Sequence, residues 1–168
     1  MRRLFVPLTL AACAFAAVTP RPAPDFTIQI PGGKPLSLSA YKGKTIVLAF
    51  MYTTCTHCQK TAGELSEIQK EYAGRGVQVF GVTFDVEAAK RIKDFNKVFG
   101  VTFPCGYSAE GPVLQFLQQP ATEPYFVPIL VFIDRNFSVR SQYIGDEKFL
   151  GNIPVTVRAE LDKLLLPI

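Results

Sequence analysis

Thr45-Ile46-Val47-Leu48-Ala49-Phe50-Met51-Tyr52-Thr53-Thr54-Cys55-Thr56-His57-Cys58 is an apolar run that ends in a CxxC tetrapeptide. The run Thr45 to Met51 is nearly all apolar, β-branched at its start and bounded by polar segments, which reads as a strand buried on both faces. Beyond the cysteines, Ala62, Leu65, Ile68 and Tyr72 recur at helical spacing. The order is strand, CxxC, helix. A cysteine in the first turn of a helix meets unpaired backbone N–H groups and the positive end of the helix dipole, which stabilise thiolate over thiol. A CxxC so placed points to redox chemistry.

Working outward, Gly74 and Gly76 end that helix, and Val77 to Phe84 is a second buried strand. Ala88, Ile92, Phe95 and Phe99 mark an amphipathic helix closed by Gly100, with Lys90, Arg91, Lys93 and Lys97 on its solvated face. Val101 to Cys105 reads as a short strand, which Pro104 confines to a sheet edge. Pro112 to Gln118 suits a short helix. Ile129 to Ile133 is another buried strand, Asp134-Arg135-Asn136 a turn, and Ser138 to Ile144 its alternating partner. Asn152 is placed to cap a last helix through Val157, Leu161, Leu164 and Leu165. Toward the N-terminus, Phe26 to Ile30, the turn Pro31-Gly32-Gly33 and Leu36 to Leu38 predict an antiparallel hairpin. Strands alternating with helices, with a closing hairpin, indicate an α/β domain with a central mixed sheet and helices on both faces.

The 168 residues, 48% of them hydrophobic, suffice for one domain with a full core once an export segment is set aside. That segment is predicted at residues 1–16. Met1-Arg2-Arg3 is a basic n-region, Leu4 to Ala12 is an apolar stretch too short to span a membrane, and small residues follow. Ala14-Phe15-Ala16 fits cleavage by signal peptidase, whereas Leu10-Ala11-Ala12-Cys13 fits a lipobox, in which Cys13 becomes a lipidated membrane tether. Both readings are open, and both place the protein outside the cytoplasm, in the bacterial periplasm or anchored facing it, where a disulfide persists. Pro20, Pro22 and Pro24 predict an extended linker over residues 17–24, leaving 25–168 as the folded domain. The net charge of +4 rests partly on Arg2, Arg3 and Arg21 and gives no indication of nucleic-acid binding.

The element order, the CxxC between strand and helix, and the proline opening a late buried strand in Val127-Pro128-Ile129 together resemble the thioredoxin superfamily. Within it the chain resembles the exported TlpA/ResA-like thiol-disulfide oxidoreductases, related to the AhpC/TSA group. Ala23-Pro24-Asp25-Phe26-Thr27 and Tyr41-Lys42-Gly43-Lys44 are similar to that family's opening, and the extra helix and strand over Glu87 to Cys105 match its insert. The resemblance implies a thioredoxin-like fold, a redox-active Cys55–Cys58 disulfide with no other cofactor and no metal, and exchange with protein thiols or disulfides by a monomer. Cys55 is the implied nucleophile and Cys58 the resolving thiol, three residues apart on a helix and so within bonding reach. The implied role of His57 is to favour the reduced pair, which would place the potential above the roughly −270 mV of thioredoxin. Pro128 resembles the cis-proline beside the active site. Thr56, Val127 and Pro128 would then meet a substrate strand.

Several positions depart from the family pattern. Thr54 replaces the usual tryptophan and Gly63 the helix proline; Ala49 and Thr61 stand where the superfamily keeps a buried carboxylate. Water, Thr61 and Glu64 remain as acceptors for the Cys58 proton. Cys105 reads as a buried free thiol, with a third redox cysteine as the alternative. Two other functions use related patterns. A peroxiredoxin-like peroxidase wants threonine three and proline seven residues before its cysteine, where Cys55 has Tyr52 and Leu48. A copper-binding assembly factor of this fold uses CxxxC and a distant histidine, whereas His57, the sole histidine, lies between the cysteines. A zinc half-site lacks further ligands beyond His57 and Cys105.

Overall fold

A computed structural model describes residues 18–166. The chain forms β1 (Arg21–Pro22), β2 (Thr27–Ile28), β3 (Leu36–Ser37), β4 (Thr45–Met51), α1 (Thr56–Tyr72), β5 (Val77–Thr83) and α2 (Ala88–Val98). It continues with β6 (Cys105–Tyr107), α3 (Glu110–Leu117), β7 (Ile129–Ile133), β8 (Ser138–Ile144), α4 (Glu147–Leu150) and α5 (Ile153–Leu165). Six strands make one sheet in the order β1-β8-β7-β4-β5-β6. β4, β5 and β6 run parallel, while β7 is antiparallel to β4 and to β8. β2 and β3 form the predicted hairpin.

Every side chain of β4 is buried, because the strand has both faces covered. Val47, Ala49 and Met51 enter one core with Cys58, Ala62, Leu65 and Ile68 of α1, Ile92 and Phe95 of α2, and Val157 and Leu161 of α5. Ile46, Leu48 and Phe50 enter the other with the hairpin and with Val113, Phe116 and Leu117 of α3. This is the thioredoxin-like α/β arrangement. β4 therefore delivers its carboxyl end, and the cysteines just beyond it, from a rigid, doubly covered strand.

Four local expectations need correction. The linker placed at 17–24 is in part sheet, since β1 pairs with β8 at an edge and Ala23 N–H donates to Phe137 O at 2.9 Å. Arg21 anchors it, buried to 7% exposure, with Nη2 donating to Phe116 O at 2.8 Å and Gln142 Oε1 at 3.1 Å. Alternating prolines permit this because only the intervening residues must donate toward the sheet, and an edge tolerates the missing N–H groups. The edge strand expected at 101–105 begins at Cys105, because Val101 N–H and Thr102 N–H are taken by Asn96 O and Ser66 Oγ. α3 starts earlier than Pro112, which falls in its first turn, where a missing N–H costs nothing. Asn152 stands at the start of α5 without a side-chain cap bond; the short α4, capped by Asp146 accepting from Phe149 N–H, is additional. The signal segment and Cys13 lie outside the described residues. Among the described residues no helix is long and apolar enough to cross a membrane.

Candidate active site

Cys55 is the N-cap residue of α1, in extended backbone conformation, and its Sγ accepts the Cys58 N–H at 3.3 Å. A sulfur in that position uses an otherwise orphaned donor and faces the positive end of a 17-residue helix. The cysteine does here what a serine or aspartate does at other helix starts, and thiolate is the better acceptor. Cys55 is half-buried, and its thiol lies 3.7 Å from Val127 O, toward which it points. Cys58, one turn on, has no exposed surface. Burial above all, and then its hydrogen bond with Cys55, pushes the Cys58 thiol well above the ordinary range. One sulfur is thus reachable and seated at a helix N-terminus, and the other is shielded and held protonated. That asymmetry is what sequential thiol–disulfide exchange requires.

Val127–Pro128 is a cis peptide, and it follows the Val127 backbone that Cys55 Sγ approaches. Both residues line a groove of about 590 Å³ together with His57, Thr61, Glu64, Phe126 and Leu150. Phe126 is 71% exposed at its rim. Thr56 is exposed in the first turn of α1, next to Cys55. His57 is exposed beside it and, among the described residues, donates no hydrogen bond to either sulfur. Thr61 is buried against the groove, and Glu64 is paired at 3.6 Å with Lys60. Ala49 is core.

Cys105 is 4% exposed, and burial pushes its thiol up to about 12. It sits across the sheet on β6 against Gly81 and packs as a small apolar residue. Among the described residues no three His, Cys, Asp or Glu side chains are grouped to hold a metal ion.

Two groups that carry no role along the sequence border the site. Asp85 accepts from Thr53 N–H at 2.8 Å and from Thr53 Oγ1 at 2.6 Å. Tyr52 and Tyr125 share a hydroxyl hydrogen bond of 2.8 Å, and Tyr125 donates in turn to Glu110. This second set ties the β4–α1 connection to the segment that leads into Val127.

The AhpC/TSA family profile matches residues 20–144. The chain belongs to the AhpC/TSA family. Among curated AhpC/TSA-like relatives, the thiol-disulfide oxidoreductase ResA of Bacillus subtilis (strain 168) is 32% identical over 92 residues, 55% of this chain and 51% of that protein. ResA of a Bacillus cereus strain is 31% identical over 125 residues, covering 74% of this chain and 69% of the relative. Against several of these relatives, including ResA of Bacillus thuringiensis subsp. konkukian (strain 97-27) with 53% covered, the chain spans about half their length. A thiol:disulfide interchange protein of the thioredoxin family from Chlorobium tepidum TLS superposes with a TM-score of 0.71 at 24% identity, over 90% of this chain and 100% of that one. The thioredoxin domain of a thiol-disulfide oxidoreductase from Bacteroides vulgatus gives 0.69 at 17% identity, over 89% and 99%. These likenesses show the thioredoxin fold for this AhpC/TSA member.

Proposed function

We propose that this AhpC/TSA-family chain is an exported thiol-disulfide oxidoreductase that exchanges its Cys55–Cys58 disulfide with cysteines of other proteins. The observation that carries the reading is the asymmetry of the pair, with Cys55 capping α1 beside the Val127–Pro128 groove and Cys58 buried one turn behind it. In the reducing direction Cys55 thiolate attacks one sulfur of a partner disulfide. A Cys55–partner S–S bond forms, the partner S–S bond breaks, and the partner's other sulfur leaves as thiolate and takes a proton. Cys58 then loses its proton to the surroundings and attacks Cys55 Sγ, which forms the Cys55–Cys58 disulfide and releases the second partner sulfur as thiolate. Two electrons pass from the pair to the partner; the oxidising direction is the reverse. The names of the ResA relatives support thiol–disulfide exchange, and the basic, apolar N-terminal stretch supports export. Thr56, Val127 and Pro128 form the backbone and side-chain surface that receives a protein substrate.

Replacing the resolving thiol tests this directly. Cys58→Ser leaves Cys55 to attack but removes the sulfur that would release the product, so partner proteins are expected to accumulate as dithiothreitol-sensitive adducts on Cys55. No adduct, together with no reduction of insulin disulfides by the wild-type chain, would overturn the assignment.

A further inference from the structure

The connection from β4 to α1, Tyr52 to Thr54, carries Cys55 into the helix, and it is gripped from both sides. From α1, Gln59 Nε2 donates to Thr53 O at 3.0 Å. From the end of β5, Phe84 N–H donates to Met51 O at 3.2 Å, and Asp85 takes both donors of Thr53, the N–H and the hydroxyl. Thr53 is buried and lies two residues before Cys55. Only Asp85 brings charge to this clamp. Its carboxylate is 11% exposed, and Arg91, 47% exposed at 3.8 Å and paired more closely with Glu87 at 2.8 Å, offsets its charge only in part.

We propose that Asp85 is the positioning residue of the redox pair, fixing the Cys55-bearing connection through Thr53 while holding a negative charge against the thiols. This rests on the oxidoreductase reading. Its charge lies within reach of Cys58, where it joins burial, the Cys55 hydrogen bond and the charge of Cys55, as the smallest of them, in keeping that thiol protonated. Both of its oxygens are engaged by one buried threonine. It shapes the site and does not carry the proton. The other titratable or charged groups around the pair are His57, Lys60 and Glu64 on α1 and Glu147 on α4.

Two substitutions separate position from charge. Asp85→Asn keeps one acceptor for Thr53 but removes the charge. Cys55 should then be alkylated by iodoacetamide about threefold faster at pH 6, as the thiolate is no longer opposed by a neighbouring anion. The equilibrium in which the disulfide plus two glutathione thiols gives the dithiol plus oxidised glutathione should shift toward the dithiol by a similar factor. Thr53→Val keeps the charge and loses one bond, and should slow exchange with insulin without that shift. A loosened fold alone would not move the equilibrium toward the dithiol. Should Asp85→Asn fail to unfold cooperatively, Arg91→Gln, which strips the exposed counter-charge, should move Cys55 alkylation the opposite way. Unchanged or slower alkylation in Asp85→Asn, or no change in Arg91→Gln, would overturn the proposal. Alkylation rates report on Asp85 even if the wild-type chain shows no exchange activity, which would refute only the oxidoreductase reading.

Discussion

Gly81→Ala is expected to destabilise the domain through one contact, and Cys105→Ala to restore what it takes away. Gly81 lies in the middle of the sheet, paired with Ala49 on β4 and Cys105 on β6. A Cβ there would overlap Cys105 Sγ and stand 3.1 Å from both Cys105 Cβ and Met51 Cε. Met51 has a flexible end and can yield, but Cys105 is held by its neighbours. Gly81 N–H donates to Pro104 O at 3.0 Å and Asn96 Nδ2 to Cys105 O at 3.0 Å, so β6 cannot back away without losing these bonds.

Overpacking of this kind costs about 1–3 kcal/mol. Against it, removing glycine from a strand returns about 0.5–1 kcal/mol of backbone entropy. The net for Gly81→Ala is therefore a loss of roughly 1–2 kcal/mol. Cys105→Ala alone removes a sulfur the size of a methylene, about 1 kcal/mol. In the double variant the added methyl occupies the space that the sulfur vacated, so the double should be no less stable than Cys105→Ala alone. The coupling free energy is then on the order of 1–2 kcal/mol, well above the roughly 0.3–0.5 kcal/mol scatter of independent sites. Urea unfolding of the four proteins under reducing conditions measures it from midpoints at constant m. Additive losses would refute the view that Cys105 is retained as packing against Gly81.

His57→Ala should lower the potential of the pair, by about 30 mV or tenfold in the exchange equilibrium, read by glutathione titration; an unchanged value would remove His57 from the redox site. Asp25, whose carboxyl is raised by partial burial but lowered overall by bonds from Ser37, Ser39 and Phe26 N–H, ties the hairpin to the loop after it. A folded-state value below the unfolded one means its contribution is complete above about pH 4 and fades as pH falls through the folded value. Asp25→Asn should therefore lower the urea midpoint at pH 7 and match wild type at pH 2, and a deficit independent of pH would contradict this.

Much of the site is legible along the chain because its determinants are local. The apolar run that makes β4 fully buried, the three-residue cysteine spacing, and the Val127-Pro128 pair before β7 are each contained in a few residues. The edge position of Cys105 is legible from Pro104, but the start of its strand is not, because that is decided by Ser66 and Asn96, which take the N–H groups of Thr102 and Val101 from elsewhere in the fold. Asp85 shows the same limit and how it is overcome. It is 32 residues from Thr53, so no window of sequence joins them. Yet β4 and β5 are parallel and each seven residues long, with Met51 opposite Thr83. Continuing that register by two residues brings Thr53 opposite Asp85. The carboxyl ends of adjacent parallel strands are where α/β folds assemble sites. Once the strand after α1 is recognised as the parallel neighbour of β4, the residue just past its end is the first place to look for a group acting on Cys55. A carboxylate stands there, while the positions where the superfamily keeps its carboxylate hold Ala49 and Thr61. The carboxylate that holds the Cys55-bearing connection therefore comes from the β5 end, by way of a threonine, and not from the positions of Ala49 or Thr61.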